Sequence, residues 1–363
     1  MVVNTGQNDC RHRTITPRTK NDKSLRSHGS LQQVRQTHIK LPFRALVRRY
    51  NCDICFTPMI LADSFVQSAR ARDNEFVTNK GDTPLIVQFA ANNPDDFVNA
   101  AQMVYPYCNG VDLNCGCPQR WAMKSGYGCD LLTKPQLVKD MVMQVRNRIP
   151  GSFTVSVKIR LLDNIRETIN LSSVLEKAGV SFITVHARTQ QMRKEAIDLK
   201  GLKSIRDSLD IPIIANGDVK TLDDAEKLYK NSNCDGVMTA NGILSNPGLF
   251  AGYSSTPLCC VQDWLDITST IPTSFLCMHH HLVFMLEKVL SKKDKYIFNN
   301  LQNREAVLLF LDDFYGLKPS NVLYNEMLEP IPCHYTSYYR TKIVEMERRD
   351  MSDDYLENLF SEI

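Results

Sequence analysis

Short apolar segments alternate with helix-like segments along most of the chain, and this alternation constrains the fold more than any other feature. The apolar segments are 54–59, 85–90, 111–114, 154–159, 182–186, 211–215 and 236–239. The helix-like segments between them lie near 95–105, 134–148, 166–178, 200–209 and 221–230. Strands separated by helices of this length predict βαβ crossovers and a parallel sheet. Because most of the strands are apolar throughout, both faces of the sheet should be buried.

The number of units favours a (β/α)8 barrel, the TIM-barrel fold, over an open sheet. Seven predicted strands lie within about 200 residues, close to the size of a barrel of eight units. One strand is missing from this count, so the first strand of the barrel should be atypical. After Pro247 the alternation stops, and the remaining segments with a helical pattern are 274–290, 301–315 and 340–349. We predict a barrel domain over 31–256 and a small all-α domain over 257–363.

Residues 1–30 contain many Arg, Thr, Ser and Asn and almost no large apolar side chains, which predicts a disordered tail. Residues 1–40 carry eight Lys or Arg and two Asp, although the net charge of the chain is only +3. A basic tail suits a polyanionic partner and also resembles a weak mitochondrial presequence. A signal-peptide core and an apolar run of membrane-spanning length are both missing. We therefore expect a cytoplasmic protein without membrane contacts, with nuclear or mitochondrial localisation as alternatives.

The 12 cysteines include one close pair, Cys52 and Cys55, which forms a CxxC motif within an apolar run. A zinc site needs two further ligands at suitable spacing. Three consecutive histidines at 279–281 could supply ligands, but adjacent helical residues point in different directions and cannot all face one ion. We predict buried thiols and an ordinary helix surface rather than a metal site.

Polar side chains end five of the predicted strands, at the end of a barrel where catalytic residues are found. They are Gln88, Asn114, Lys158 with Arg160, His186 with Arg188, and the turn Asn216-Gly217-Asp218. One such residue is easily explained as structural, but five at equivalent positions indicate a site. Lys158 could supply positive charge to an electron-rich cofactor, and His186 could supply a hydrogen bond to it.

Two turns that contain glycine follow the last two strands, Asn216-Gly217-Asp218 and Ala240-Asn241-Gly242. Barrels commonly bind phosphate at this place, because backbone N–H groups can approach an anion closely there. The alternative is that each glycine only permits a tight turn. The position of the pair favours phosphate binding.

A cysteine lies just beyond the third predicted strand, in the sequence DLNCGCPQRW at 112–121, which is followed by GYGC at 126–129. Because proline and a glycine-rich segment follow it, Cys117 should lie in an accessible loop rather than in the core. A thiol in such a loop can act as a nucleophile or as a proton donor.

Together these motifs are similar to those of the tRNA-dihydrouridine synthases, in particular to the eukaryotic type 4 branch of that family. The similar segments are NCDICFTPMI at 51–60, PLIVQFAANNP at 84–94, VDLNCGCPQRWAMKSGYG at 111–128, VSVKIR at 155–160, ITVHART at 183–189, IPIIANGD at 211–218 and DGVMTANGILSNPGLFAGY at 235–253. The resemblance extends from residue 41 to residue 315.

The resemblance implies an FMN-dependent oxidoreductase that reduces the C5–C6 double bond of a uridine in the tRNA D-loop, at positions 20a and 20b. NADPH or NADH would reduce the flavin, and hydride would pass from the flavin to C6 of uracil. Cys117 would donate a proton to C5. The partners would be tRNA and a nicotinamide dinucleotide, and we expect a monomer.

The resemblance also implies roles for the residues at the strand ends. Gln88 and Lys158 would contact the isoalloxazine, and His186 would help to hold the flavin. The phosphate end would be formed by Asn216, Gly217, Asp218, Ala240 and Asn241. The residues placed to meet the uridine would be Asn114, Arg160 and Arg188. The helical C-terminal domain would bind tRNA, and its lysines at 288, 292, 293 and 295 form either a phosphate contact or a solvated helix face.

The chain departs from the family pattern at three places. Residues 32–40 are polar and lack the family's Ala-Pro-Met segment, so we expect the first strand to be lost or replaced. Ala187 stands where the family has glycine in His-Gly-Arg-Thr, and Asn241 stands where it has arginine. Because the arginine would pair with a phosphate, its loss predicts weaker FMN binding.

Two other functions remain open from the sequence. One is a different FMN barrel that reduces a free pyrimidine, although its C-terminal helices would then lack a purpose. The other is a tRNA-binding relative that has lost its flavin together with the first strand.

Overall fold

A computed structural model describes residues 40–320, and these residues form one parallel sheet surrounded by helices. The strands are β1 (Cys55–Phe56), β2 (Ile60–Leu61), β3 (Leu85–Ala90), β4 (Gly110–Cys115), β5 (Thr154–Arg160), β6 (Phe182–His186), β7 (Ile213–Asn216) and β8 (Gly236–Met238). Their order is β1-β3-β4-β5-β6-β7-β8, and β2 also pairs with β3. The predicted parallel α/β sheet is therefore confirmed.

The segment predicted as one strand over 54–59 is divided into β1 and β2, which pair with successive parts of β3. Phe56 lies opposite Ile86, and Ile60 lies opposite Phe89. The chain advances four residues from Phe56 to Ile60, whereas β3 advances three from Ile86 to Phe89. One extra residue on one of two paired strands is the spacing of a β-bulge. The eight strands consequently occupy seven positions in the sheet.

The sheet is curved like a TIM barrel. Phe56 of β1 and Phe182 of β6 lie four positions apart in the sheet, yet their ring centroids are only 6.4 Å apart. Met238 of β8 belongs to the same buried cluster, so the inner faces of both edges meet. Within residues 40–320, no strand pairs with the outer edge of β1 or β8. The position expected for the atypical first strand lies between these edges, and residues 32–39 fall outside the described part of the chain.

Fourteen helices are described between residues 40 and 320. They are α1 (Leu41–Arg49), α2 (Ala62–Gln67), α3 (Ala69–Glu75), α4 (Pro94–Val104), α5 (Arg120–Lys124), α6 (Pro135–Arg148), α7 (Ile165–Lys177), α8 (Leu199–Asp207), α9 (Leu222–Ser232), α10 (Asn241–Ser245), α11 (Leu258–Thr270), α12 (Phe275–Leu286), α13 (Lys292–Asn299) and α14 (Arg304–Tyr315). Short 3-10 helices cover Tyr105–Tyr107, Gly128–Thr133 and Leu249–Ala251.

The five helices predicted between strands are present, because each combines an apolar face with a start signal. Asn93 and Asn164 accept hydrogen bonds from the backbone N–H groups of Asp95 and Arg166, which caps α4 and α7. Thr221 forms a capping box with Asp224 at the start of α9. Such caps satisfy N–H groups that have no partner within the helix.

Helices α11 to α14 follow the barrel, as predicted, but the sequence analysis missed α11 and α13. The predicted helix at 340–349 and the predicted tail at 1–30 lie outside the described residues. Pro257 directly precedes α11, and the division into domains at this point stays a prediction. No helix between residues 40 and 320 is long and apolar enough to cross a membrane.

The prediction of an ordinary helix surface for the three histidines is wrong for two of them. His281 is fully buried and stacks on Phe43 of α1, with ring centroids 4.2 Å apart. His279 is also buried, and its Nε2 lies 2.8 Å from the carbonyl oxygen of Phe298. The reason is that α12 packs against neighbouring helices on several sides. Among residues 40–320, no three His, Cys, Asp or Glu side chains are grouped to hold a metal ion.

A buried ion cluster attaches α1 to the segment before β3. Arg44 donates to Oδ2 of Asp82 from Nε at 2.9 Å and from Nη2 at 2.7 Å. Arg48 donates from Nη2 to Oδ1 of Asp82 at 3.1 Å and to the carbonyl oxygen of Pro84 at 2.7 Å. Burial opposes ionisation of Asp82, but the charges of Arg44 and Arg48 outweigh it and lower the pKa of this carboxyl.

We expect Asp82→Asn to lower the free energy of unfolding by about 3–5 kcal/mol, because it removes the carboxylate that pairs with the buried guanidinium of Arg44 and the half-buried one of Arg48. Urea unfolding at neutral pH measures this effect. Since folding lowers the pKa of Asp82, its contribution is present above the unfolded value of about 3.9 and is lost as pH falls through the folded value. Asp223→Asn serves as a control, because it removes an exposed ion pair with Lys227. It should leave the urea concentration at the midpoint of unfolding unchanged.

Candidate functional site

The predicted site residues meet at the carboxyl ends of the strands, because parallel pairing aligns their positions across neighbouring strands. The aligned pairs are Gln88 with Asp112, Asn114 with Lys158, Arg160 with His186, and His186 with Asn216. Side chains of directly paired residues project from the same face of a sheet. Five separate parts of the sequence therefore contribute to one region.

A cavity of about 160 Å³ occupies part of this region. The predicted residues that line it are Lys158, Arg160, His186, Arg188, Asn216, Gly217, Asp218, Ala240 and Asn241. The sequence analysis missed its two other cationic residues, Arg193 and Lys220, although Lys220 stands only two residues after the Asn-Gly-Asp turn. The cavity is smaller than the roughly 300–1,000 Å³ of pockets that enclose a whole ligand. Its size and charge suit the phosphate end of a ligand.

Lys158 is buried in the sheet, and its Nζ donates to Oδ1 of Asn216 at 2.9 Å. Burial, followed by the charge of Arg160, lowers the pKa of Lys158 to about 7. An ammonium group held so near its neutral form gains strongly from any anionic ligand, because the anion restores the charge that burial disfavours. Lys158 is therefore suited to binding an electron-rich group.

His186 has a buried ring nitrogen, Nδ1, for which none of residues 40–320 supplies a hydrogen-bond partner. Burial, followed by the charges of Lys158, Arg160 and Arg188, lowers the pKa of His186 to about 2. The imidazole is consequently neutral at pH 7. A buried polar atom without a partner is costly in a folded protein, and the side chain that carries this one lines the cavity. His186 is thus placed to bind a ligand that completes its hydrogen bonds.

Arg188 and Asp218 form an ion pair at the rim of the cavity. Nη2 of Arg188 donates to both carboxylate oxygens of Asp218, at 2.6 and 2.5 Å. Nε of Arg188 donates to the carbonyl oxygen of Glu195 at 2.6 Å. A carboxylate repels phosphate, so only the backbone of Asp218 is suited to an anion. Asp218 and Gly217 have φ values of 55° and 139°, and the glycine value is in a region that other residues rarely adopt.

Cys117 follows β4, but the prediction that it lies in an accessible loop is wrong for this structure. Its exposed fraction is 1%, because it packs in a small apolar cluster with Met59, Ala90, Ala122 and Tyr127. Burial raises the pKa of the Cys117 thiol, although a backbone hydrogen bond and the charges of Arg160 and Lys158 oppose this rise. The thiol therefore remains protonated at neutral pH, which is the form a proton donor needs.

The backbone around Cys117 is held on both sides. Oδ1 of Asn114 accepts from the N–H groups of Gly116 at 3.1 Å and Cys117 at 3.0 Å. The carbonyl oxygen of Cys117 accepts from the N–H of Cys129 at 3.0 Å. A Cβ on Gly128 would lie close against that carbonyl oxygen, and Gly128 has a φ of 65°. The glycine-rich segment is therefore required for this close approach.

A chain of buried polar groups leads from Asn114 to Asp112, a residue to which the sequence analysis assigned no role. Nδ2 of Asn114 donates to Oε1 of Gln88 at 3.0 Å, and Nε2 of Gln88 donates to Oδ2 of Asp112 at 2.8 Å. Ser156 donates to Oδ1 of Asp112 at 2.6 Å. We name Asp112, Gln88 and Asn114 the amide chain. The N–H groups of Gly116 and Cys117 can only donate, so they determine which way both side-chain amides point.

Asp112 ends the amide chain, where both of its carboxylate oxygens accept hydrogen bonds. Its surroundings allow the carboxyl group to ionise. Burial raises the pKa of Asp112 to about 6, while Ser156, Gln88 and Lys158 favour the ionised form. The carboxylate therefore prevails at neutral pH. The amide chain could have been found in the sequence only by noting that residues 112 and 114 lie on the same face of one strand.

Arg160 connects the Cys117 loop to the loop that follows β6. Its Nε donates to the carbonyl oxygen of Gly116 at 2.9 Å, and its Nη1 donates to that of Thr189 at 2.9 Å. Arg160 also lines the cavity, whereas Gln88, Asn114 and Cys117 do not. The region thus has two parts, the cationic cavity and the Cys117 loop, with Arg160 contacting both. The predicted lysine cluster, in the turn after α12 and on α13, lies outside the cavity.

Comparison with known proteins identifies the family of this chain. Residues 35–305 match the model of the dihydrouridine synthase (Dus) family. The chain is 48% identical over 317 residues to human tRNA-dihydrouridine(20a/20b) synthase (NAD(P)+)-like, covering 86% of this chain and 100% of that protein. It is 38% identical to Schizosaccharomyces pombe tRNA-dihydrouridine(20a/20b) synthase (NAD(P)+), covering 81% of this chain and 90% of that protein.

Among solved structures, the old yellow enzyme from Trypanosoma cruzi is similar at 11% identity and a TM-score of 0.45, over 62% of this chain and 86% of that one. This structural likeness is too low to bear on function. The family match covers most of the described residues and includes both parts of the site. The chain belongs to the dihydrouridine synthase family, a family of oxidoreductases.

Proposed function

We propose that this protein reduces uridine to dihydrouridine at positions 20a and 20b of the tRNA D-loop, with FMN as cofactor and NADPH or NADH as reductant. The observation that carries the proposal is the amide chain, which holds a protonated thiol beside a cationic cavity. The names of the human and yeast relatives support the substrate and the nicotinamide. Family membership supports the reaction class.

The residues around the cavity fit FMN. Gln88 and Lys158 would contact the isoalloxazine. Nδ1 of His186, which has no partner among residues 40–320, would form a hydrogen bond with the flavin. The residues of the phosphate end would be Asn216, Gly217, Asp218 through its backbone, Ala240 and Asn241, with Arg193 and Lys220 adding positive charge. Bound FMN would supply the hydride that is added to C6 of uracil.

Cys117 would act as the acid in this reaction. The C5–C6 double bond of uracil is conjugated to a carbonyl group, so addition of hydride at C6 leaves negative charge that a proton at C5 removes. A thiol whose pKa is raised by burial keeps its proton until that charge develops. Asn114 and Arg160 fix the backbone on either side of Gly116 and so determine where the thiol lies.

The uridine would be recognised by side chains around the same loop. Asn114 uses Oδ1 for the loop and one N–H for Gln88, so its second N–H can donate to a uracil carbonyl. Arg160 donates to the backbone of the Cys117 loop, and Arg188 donates to the carboxylate of Asp218. We therefore propose that both arginines act chiefly by positioning the loops that enclose the base. The helices α11 to α14, with their lysines, would contact the tRNA of a monomeric enzyme.

A second candidate function is a tRNA-binding protein without flavin, and the outer edges of β1 and β8 favour it, since no described strand pairs with them. Purified protein distinguishes the two candidates. Copurified flavin with dihydrouridine formation on unmodified tRNA supports the enzyme. A colourless preparation that binds tRNA but cannot be loaded with FMN supports the binding protein.

We expect Cys117→Ala to lower dihydrouridine formation by about 10²- to 10⁴-fold, the usual contribution of a positioned acid. Binding of FMN and tRNA should be retained, because the Asn114 contacts are made to the backbone. Mass spectrometry of tRNA nucleosides measures the product. Cys234→Ala is a matched control, since this buried thiol precedes β8 at the opposite end of the barrel. Unchanged product in the Cys117 variant would remove the proposed acid.

We expect Asp112→Leu to lower dihydrouridine formation by about tenfold or more, because it removes the buried carboxylate that accepts from Nε2 of Gln88 and so loosens the amide chain. Asp112→Asn is the matched control. In this variant the side-chain oxygen at position 112 can still accept from Nε2 of Gln88. The Ser156 hydroxyl can rotate to accept from the side-chain N–H at position 112, so most activity should remain. Equal activity in both variants would show that the amide chain has no part in the reaction.

We expect Asn241→Arg to tighten FMN binding by about tenfold, because it adds a charged donor to an exposed position of the cavity rim. Quenching of flavin fluorescence during titration measures the affinity. Riboflavin lacks the phosphate, so its affinity should not change. A gain for riboflavin equal to that for FMN would contradict the placement of the phosphate end near Asn241.

A further inference from the structure

We propose that Trp121 is a stacking surface for an unpaired tRNA base that neighbours the uridine in the site, an inference that rests on the proposed function. Trp121 lies on α5, four residues after Cys117, and 45% of its surface is exposed. The other tryptophan, Trp264, is fully buried between α1 and α12. Trp121 thus presents a large, partly exposed ring in the segment that carries Cys117, and a tryptophan ring in such a position can stack on the face of a nucleic-acid base.

The ring is held before any ligand arrives. The indole N–H of Trp121 donates to Oε1 of Gln119 at 2.5 Å. The next residue, Ala122, is buried in the apolar cluster around Cys117. Met123 Sδ accepts from Nε2 of Gln190 at 3.2 Å, which connects α5 to the loop after β6. A ring fixed in this way loses little conformational entropy when a base stacks on it.

The charges around Trp121 indicate a nucleic acid. Arg120 and Lys124 are exposed on α5, and the segment 116–129 contains no acidic residue. Lys194 is exposed in the loop that Gln190 connects to α5, next to the cavity-lining Arg193. The nearby Glu195 directs its carboxylate to the backbone N–H groups of Arg193 and Lys194. A fixed aromatic ring with exposed cations on its own helix and on the connected loop suits a base with its flanking phosphates.

The chemistry of the proposed substrate explains why such a surface is needed. A uridine can reach Cys117 only by leaving the stack of the D-loop, which deprives its neighbour of a stacking partner. Trp121 would replace that partner. Stacking does not select the base, so Trp121 should strengthen tRNA binding without choosing between positions 20a and 20b.

Intrinsic fluorescence tests the proposal, because the chain has one exposed and one buried tryptophan. Titration of the full chain with unmodified tRNA should quench the Trp121 emission. Trp121→Leu, which retains only Trp264, should show no such quenching. Anisotropy of labelled tRNA should give an affinity about 5- to 150-fold weaker for this variant. Trp121→Phe should recover part of the affinity, and Tyr229→Leu, an exposed aromatic on α9, should bind like the unaltered protein.

An abasic nucleotide provides a second measurement. Removal of the base on one side of the target uridine should weaken binding to the unaltered protein but not to Trp121→Leu. Equal tRNA affinities for the two proteins would overturn the stacking role, even if the unaltered protein forms dihydrouridine. Quenching by phosphatidylserine vesicles but not by tRNA would also overturn it. Quenching by tRNA without any dihydrouridine formation would instead support the stacking role of Trp121 and contradict the proposed reaction.

Discussion

The site depends on a line of side-chain hydrogen bonds that runs from the carboxylate of Asp112 through Gln88 and Asn114 to the backbone of Cys117. Every group in this line has one possible orientation, because backbone N–H groups at one end only donate and a carboxylate at the other end only accepts. The strands β3 and β4 supply all three side chains. The sheet thus contributes directly to the position of the thiol, although the thiol itself lies in the loop after β4.

Burial determines the charge states around this line. It raises the pKa values of Asp112 and Cys117 and lowers those of Lys158 and His186. The result is a protonated thiol and a neutral imidazole near an ammonium group that readily responds to an anion. Charges in a region of low dielectric interact strongly, so an anionic cofactor would change several of these groups together.

The barrel keeps its shape although no described strand fills the position between β8 and β1. The ion cluster of Arg44, Arg48 and Asp82 holds α1 against the segment before β3. Phe43 of α1 also packs on Trp264 and His281, which connects α1 to the C-terminal helices. These contacts attach α1 to the rest of the molecule independently of the strand that would precede it.

The sequence alone determined the parallel α/β architecture and the convergence of Lys158, His186 and Asn216, because helical and strand periodicities are local and parallel pairing aligns strand ends. It also identified the Cys117 segment. Only the tertiary structure decided that Cys117 is buried, that Asp218 pairs with Arg188, and that α12 buries His279 and His281. It alone revealed the amide chain, and it divided the first predicted strand into β1 and β2. These features depend on which residues face one another across strands and helices that are far apart in the chain, and no local pattern records such contacts.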